Sequence, residues 1–343
     1  MKMLRFALLF VGMLLIIYFA GPRPSFEEIE DPQISLLEMS LDSLDQYVKT
    51  KDLTIPNLKP DNESRIIWAD SIRKTRYSVV YLHGFSASPM ESNPTHINFA
   101  KHYGFNLYIP LLAGHGRDDD NSFADLTPND LIQSAKEAIA IGQLLGDDVI
   151  VMSCSTGSTL AIYLAGANKE LIDAQIMYSP NISLNDPTAR LITGPWGNQI
   201  LKMVAGDYWN LEKVADPPES AQYWTITYST KGLIALQKLL NDTMTPEVFE
   251  KVTQPFFLGY YYKNEEEQDH TISTHAIHKF FNQAGTPSGE KVLMAFPNAG
   301  AHVMANPMKG QDVENVFNKT CEYAERVLHL EPLADSLNSF ESY

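Results

Sequence analysis

The chain has 343 residues, 44% of them hydrophobic and 20% charged. That is an ordinary balance for a globular protein with a sizeable core, organised as one large domain or two modest ones. A formal net charge of −16 argues against nucleic acid or an anionic membrane surface as a partner, because both would be repelled. Cys154 and Cys321 are the only cysteines, and their placement gives no disulfide framework.

In chain order, Lys2 and Arg5 precede Phe6 to Pro22, seventeen residues without a charge and mostly apolar. The run is slightly long for a signal-peptide core and slightly short for a comfortable membrane span. A cleavage site wants small residues, and Tyr18 is bulky. Residues 1–22 are therefore expected to be an uncleaved membrane anchor, with a cleaved signal peptide as the alternative. Basic residues before the run and Glu27, Glu28, Glu30 and Asp31 after it place the body of the protein outside the cytoplasm. It would be membrane-anchored there, or secreted or periplasmic if the leader is removed. Residues 23–62 are acidic and interrupted by prolines, and read as a linker with a lead-in helix in the amphipathic stretch Leu36 to Val48.

Residues 63–178 alternate short apolar runs with helical patterns. Strands are expected at Arg65–Ala69, Ser78–Leu82, Phe105–Ile109, Val149–Met152 and Ala174–Tyr178. A helix is expected at Thr95–Tyr103. Another starts at Thr127-Pro128-Asn129-Asp130, with Thr as N-cap and Pro at the first helical position, and runs to about Leu145. Between residues 179 and 253 the rhythm breaks, and Trp196, Tyr208, Trp209, Tyr223, Trp224 and Tyr228 accumulate. This segment reads as an inserted helical cap whose aromatic residues line a pocket or form its own core. The alternation resumes in residues 254–343, with strands at Phe256–Tyr262 and Lys291–Phe296 and a helix at Asp312–Leu328. The fold class is α/β: a mostly parallel sheet with helices on both faces and an inserted helical cap.

The pentapeptide Ser153-Cys154-Ser155-Thr156-Gly157 sits between the Val149–Met152 strand and a helical stretch from Ser158 to Ala167. A small residue, a nucleophile two on and a small residue two further on is the pattern of a nucleophile elbow, where strand turns sharply into helix. Of the possible centres, Ser155 alone has small residues on both sides; centring on Cys154 or Ser153 puts bulky or β-branched residues there. Ser153 stands where the usual motif has Gly. A serine hydroxyl needs a base, a group that orients the base, and donors for the oxyanion that forms. His302 follows the last strand in the small-residue loop Pro297-Asn298-Ala299-Gly300-Ala301. Asp269 follows the strand before it, with Glu265 as runner-up for the orienting acid. The oxyanion donors fall to the backbone N–H groups of Thr156 and of Phe85, which follows the Ser78–Leu82 strand.

The chain order Ser155, Asp269, His302 is that of the α/β-hydrolases. From about Ser64 to Leu330 the chain resembles that superfamily, and Leu82-His83-Gly84-Phe85 with Ala113-Gly114-His115-Gly116 is similar to its monoglyceride-lipase and serine-aminopeptidase-like branch. The resemblance implies a cap domain, an acyl-enzyme mechanism and no metal or other cofactor. The departures are Ser153 and an acid loop about five residues longer than usual. His270, His275 and His278 lack metal-ligand spacing, and Asp118–Asp120 lack the glycine of a calcium loop. The expectation is a serine hydrolase that cleaves small-molecule carboxylic esters, carboxylesterase- or lipase-like. The alternatives are a peptidase or thioesterase on the same scaffold, or a non-catalytic ligand-binding protein. The oligomeric state is left open.

Overall fold

The computed structural model describes residues 2–211 and 217–334. Residues 212–216, within the expected cap, and 335–343 lie outside the described residues. In chain order the elements begin with α1 (Lys2–Phe19), α2 (Leu41–Lys51), β1 (Arg65–Ile67), β2 (Thr75–Leu82), α3 (Thr95–Tyr103), β3 (Asn106–Ile109) and α4 (Pro128–Leu145). They continue with β4 (Gly146–Cys154), α5 (Thr156–Ala165), β5 (Ala174–Tyr178), α6 (Gly197–Ala205), β6 (Tyr208–Asn210), β7 (Thr227–Ser229), α7 (Lys231–Thr243) and α8 (Pro246–Phe249). The last are β8 (Phe256–Tyr260), α9 (Thr274–Gln283), β9 (Lys291–Ala295) and α10 (Val313–Val327).

Seven strands form one sheet in the order β1-β3-β2-β4-β5-β8-β9. Every neighbouring pair is parallel except β1 with β3. Strand alternation divides the core. Val79 and Tyr81 of β2 join Phe99 and Tyr103 of α3 and Phe317 and Tyr323 of α10 on one face. Val80 and Leu82 point the other way, to Leu131 and Ile132 of α4 and Leu160 of α5. Towards β8 and β9 that second face continues through Phe256, Leu258, Phe249 and Phe280. Helices thus cover both faces of a mostly parallel sheet, and α6, α7 and the short β6–β7 hairpin form an insertion between β5 and β8.

Several boundaries differ from those expected, for local reasons. The lead-in helix starts at Leu41 rather than Leu36, because Ser40 takes the N-cap and its side chain accepts the N–H of Ser43. β4 starts at Gly146 rather than Val149, because Gly146 and Asp148 pair with Thr75 and Tyr77 of β2 despite their poor strand propensity. The start of α4 follows the expected capping: the Thr127 hydroxyl accepts from Asp130 N–H, and the Asp130 carboxylate accepts from Thr127 N–H at 2.8 Å.

The expected membrane anchor finds no support in the helix lengths. Lys2 and Arg5 fall in the first turn of α1, so the uncharged part of that helix runs only from Phe6 to Phe19. At 1.5 Å per residue that is about 21 Å, short of a hydrocarbon core about 30 Å thick. Among the described residues no helix is long and apolar enough to cross a membrane. The C-terminal end of α1 meets the insertion instead: the Trp196 indole N–H donates to Ile17 O at 3.1 Å, and its backbone N–H donates to Pro22 O at 2.7 Å.

Phe280 of α9 carries much of the packing at the β8 side of the sheet. Its ring centroid lies 5.1 Å from Phe249 and 5.5 Å from Phe256. Phe280→Ala is expected to lower stability by about 3–5 kcal/mol, read as a lower urea midpoint at unchanged m-value.

Candidate active site

Ser155 lies at the C-terminal end of β4, directly before α5, with φ 51° and ψ −117°. A non-glycine residue adopts positive φ there only under constraint from its surroundings. The constraints are visible. Ser155 N–H donates to Tyr178 O at 3.0 Å, and Ser155 O accepts from the N–H groups of Ser158, Thr159 and Asn181 at 3.0, 3.3 and 3.1 Å. A Cβ on Gly157 would fall 2.0 Å from Leu82 O, so the second small position of the elbow is a matter of contact with β2. The first is tolerant: Ser153 is fully buried, and its hydroxyl meets the Ser158 hydroxyl at 2.9 Å. The serine in place of the usual glycine therefore has its own partner.

The loops after β8 and β9 bring Asp269 and His302 together. Asp269 Oδ2 lies 2.6 Å from His302 Nδ1, and the Asp269 side chain is fully buried. Its Oδ1 accepts the N–H groups of Thr271 and Ile272 at 2.8 and 3.3 Å. Burial opposes ionisation of Asp269, but His302 and these two N–H groups outweigh it and hold its pKa below the ordinary carboxylate value. Burial likewise works against the protonated form of His302. Asp269, aided by Glu91, outweighs that and holds the imidazole above the ordinary histidine value. The carboxylate fixes the proton on Nδ1 and leaves Nε2 with its lone pair. Glu265, the runner-up, is exposed and accepts from the Tyr262 hydroxyl at 3.0 Å, away from His302.

His83-Gly84-Phe85 follows β2, and His83 locks the turn. Its Nε2 accepts Leu112 N–H at 3.0 Å, which leaves Nδ1–H to donate to Gly84 O at 2.9 Å. Burial, with His115 nearby, pushes its pKa well below the ordinary histidine value, so it holds the turn as a neutral ring. The Phe85 ring packs against Phe123 at 4.7 Å and Tyr228 at 5.7 Å. Ser86 O accepts Thr225 N–H from the insertion at 2.7 Å. Among the described residues no acceptor takes the backbone N–H of Phe85 or Thr156.

Phe85, Ser155, Thr156 and His302 line one cavity of about 820 Å³, walled on the insertion side by Leu201, Trp209, Trp224 and Leu236. The insertion's aromatic residues thus divide: Trp209, Trp224 and Tyr228 line the cavity, while Tyr223 donates to Asp61 on the surface. Ser155 and His302 face the same cavity, and among the described hydrogen bonds none joins Ser155 Oγ to His302. His270 also reaches the cavity wall, whereas His278 Nε2 pairs with the Tyr260 hydroxyl at 2.8 Å. Three contributors were not singled out in the sequence: His83 as a lock, Ser179, whose hydroxyl donates to His302 O at 2.7 Å, and Glu91. Ser179 and Glu91 sit in loops whose composition carries no periodic signal.

The family described as Alpha/beta hydrolase family matches residues 79–310. The chain belongs to that family. A structure reported with the metagenome-derived lipolytic enzymes LipS and LipT is similar, with 18% identity and a TM-score of 0.59 over 78% of this chain and 98% of that one. The monoacylglycerol lipase of Paleococcus ferrophilus is similar at 14% identity and a TM-score of 0.56, over 76% and 96% of the two chains. Est1E from Butyrivibrio proteoclasticus is similar at 13% identity and a TM-score of 0.53, over 78% and 94%. At these identities the likeness is one of fold. A search of curated proteins found no match.

Because Ser153 is bonded rather than merely tolerated, Ser153→Gly strands the buried Ser158 hydroxyl. It is expected to cost about 1–2 kcal/mol, measured as a lower thermal midpoint, with no gain in activity.

Proposed function

We propose that the protein is a serine hydrolase of carboxylic esters. The observation that carries this reading is the Asp269–His302 pair opening onto the same apolar cavity as the strained Ser155. In the first half-reaction, Ser155 Oγ bonds to the acyl carbon and its proton passes to His302 Nε2. The carbonyl electron pair moves onto oxygen, where the N–H groups of Phe85 and Thr156 receive it. Collapse of this intermediate breaks the bond to the alcohol, which leaves with the proton from His302. Water then repeats the sequence on the acyl-enzyme and the acid departs. Asp269 holds His302 in the required tautomer throughout. The fold shared with lipolytic enzymes and a monoacylglycerol lipase supports the ester reading.

The cavity wall is mainly apolar, so each added acyl methylene buries surface worth about 0.8 kcal/mol. With p-nitrophenyl esters of graded length, kcat/KM is expected to rise with acyl chain length before it levels off. Ser155→Ala is expected to abolish both hydrolysis and covalent labelling by a fluorophosphonate while leaving the melting temperature in place. Labelling that persists in this variant overturns the assignment.

The base must be neutral to accept the proton, and its pKa is raised. Activity is therefore lost as pH falls through that raised value. Asp269→Asn removes the charge responsible, so kcat is expected to fall by about 10⁴-fold, as loss of the orienting carboxylate does elsewhere. In the residual activity the acid limb of the pH profile moves to lower pH.

A further inference from the structure

Gly84 poses a problem for the oxyanion turn. A Cβ there would fall 2.8 Å from Glu91 Oε1 and 3.0 Å from Ser155 Cβ, so a side chain has no room. The peptide after Gly84 carries Phe85 N–H and is held at its carbonyl, Gly84 O, by His83 Nδ1–H at 2.9 Å, but a glycine lets the peptide on its other side rotate against it. An oxyanion donor is effective only when it is aimed before charge develops.

Glu91 holds that other peptide through Gly84 N–H, so that with His83 both sides of the glycine are fixed. It is 2% exposed, in the loop between β2 and α3. Its Oε2 accepts Gly84 N–H at 2.7 Å and the Tyr81 hydroxyl at 2.8 Å. The Tyr81 hydroxyl also meets Ser92 Oγ at 2.5 Å, so the carboxyl is held from the β2 strand as well as from its own loop. That loop is tied to the segment bearing His302: Asn306 Nδ2 donates to Met90 O at 3.1 Å, and Thr95 Oγ1 donates to Ala305 O at 2.7 Å. Burying a carboxyl is costly unless it is paired, and here its pairing falls on the residue next to the oxyanion donor.

We propose that Glu91 is a positioning residue that clamps Gly84 N–H and thereby aims Phe85 N–H at the developing oxyanion. The clamp rests on the serine-hydrolase reading of Ser155. It acts through the turn and needs an acceptor at the Oε2 position rather than a charge. Glu91→Gln retains such an acceptor, Glu91→Ala has none, and Glu91→Asp withdraws it by one methylene.

The test compares kcat and KM for a p-nitrophenyl ester, and the fluorophosphonate labelling rate, in the full chain and these variants. Glu91→Ala is expected to lower kcat and the labelling rate together by about 10- to 100-fold, a fraction of what outright removal of an oxyanion donor costs, with KM unchanged. Glu91→Gln is expected to stay within about threefold of wild type. If Glu91→Ala does not fold, Glu91→Asp decides, with an expected loss of about tenfold in kcat at unchanged KM. The clamp is overturned if folded Glu91→Ala or Glu91→Asp keeps wild-type kcat, if Glu91→Gln falls as far as Glu91→Ala, or if the loss appears in KM alone. Failure of the serine-hydrolase reading itself looks different: the wild-type chain would neither turn over esters nor label at Ser155.

Discussion

The whole site depends on one strained backbone position. Ser155 holds positive φ between β4 and α5, and nothing in its own side chain favours that conformation. It persists because its N–H is bonded to β5 and its carbonyl collects three N–H groups from α5 and the segment after β5. Gly157 lets α5 press against the end of β2. The arrangement leaves Thr156 N–H without an intrahelical partner, as the first residue of any helix must be. The strained backbone, the position of Ser155 on the cavity wall and the Thr156 N–H left without an intrahelical partner are thus consequences of the same turn.

Around that turn, each group with a proposed chemical role is supported by a residue with none. Asp269 is itself fixed by two backbone N–H groups. Ser179 holds the carbonyl of His302, and a neutral His83 ties the turn after β2 to the loop at Leu112. These supports come from different strands, yet all lie near the carboxyl ends of a parallel sheet, where such sheets place their sites. The insertion contributes in the same way. Thr225 bonds to Ser86, and Tyr228 packs on Phe85, so the cavity roof and the turn after β2 are joined.

Electrostatics within this frame is governed by two competing effects on the same pair. Burial opposes the charged forms of both Asp269 and His302, while their mutual attraction favours them. The attraction prevails because the carboxylate is also bonded to N–H donors that exist only in the folded loop. An acid placed on the exposed face of that loop, as Glu265 is, has none of this support.

Much of the fold was legible in the chain, because parallel strands buried on both faces appear as short apolar runs and helices carry their own period and caps. The strand at Ala174–Tyr178 and the cap at Thr127 fall where local sequence puts them. The elbow was legible too, since its steric demand acts on neighbours two residues away. The ends of β2 and β4 were not, because pairing across the sheet extended them into polar residues. The hydrophobic N-terminal run was legible as a helix, whereas its contact with Trp196 was not, because hydropathy registers apolar length and not a docking partner. The sequence by itself determined the order of elements and the place of the sharp turn at Ser155, as both follow from short-range pattern and sterics. Only the tertiary structure decided that Asp269 rather than Glu265 meets His302, and that Glu91 and Ser179 brace the site. Asp269 and Ser179 reach the His302 loop from elsewhere in the chain, and Glu91 folds back on Gly84 within one loop, so local composition carries no record of these partners.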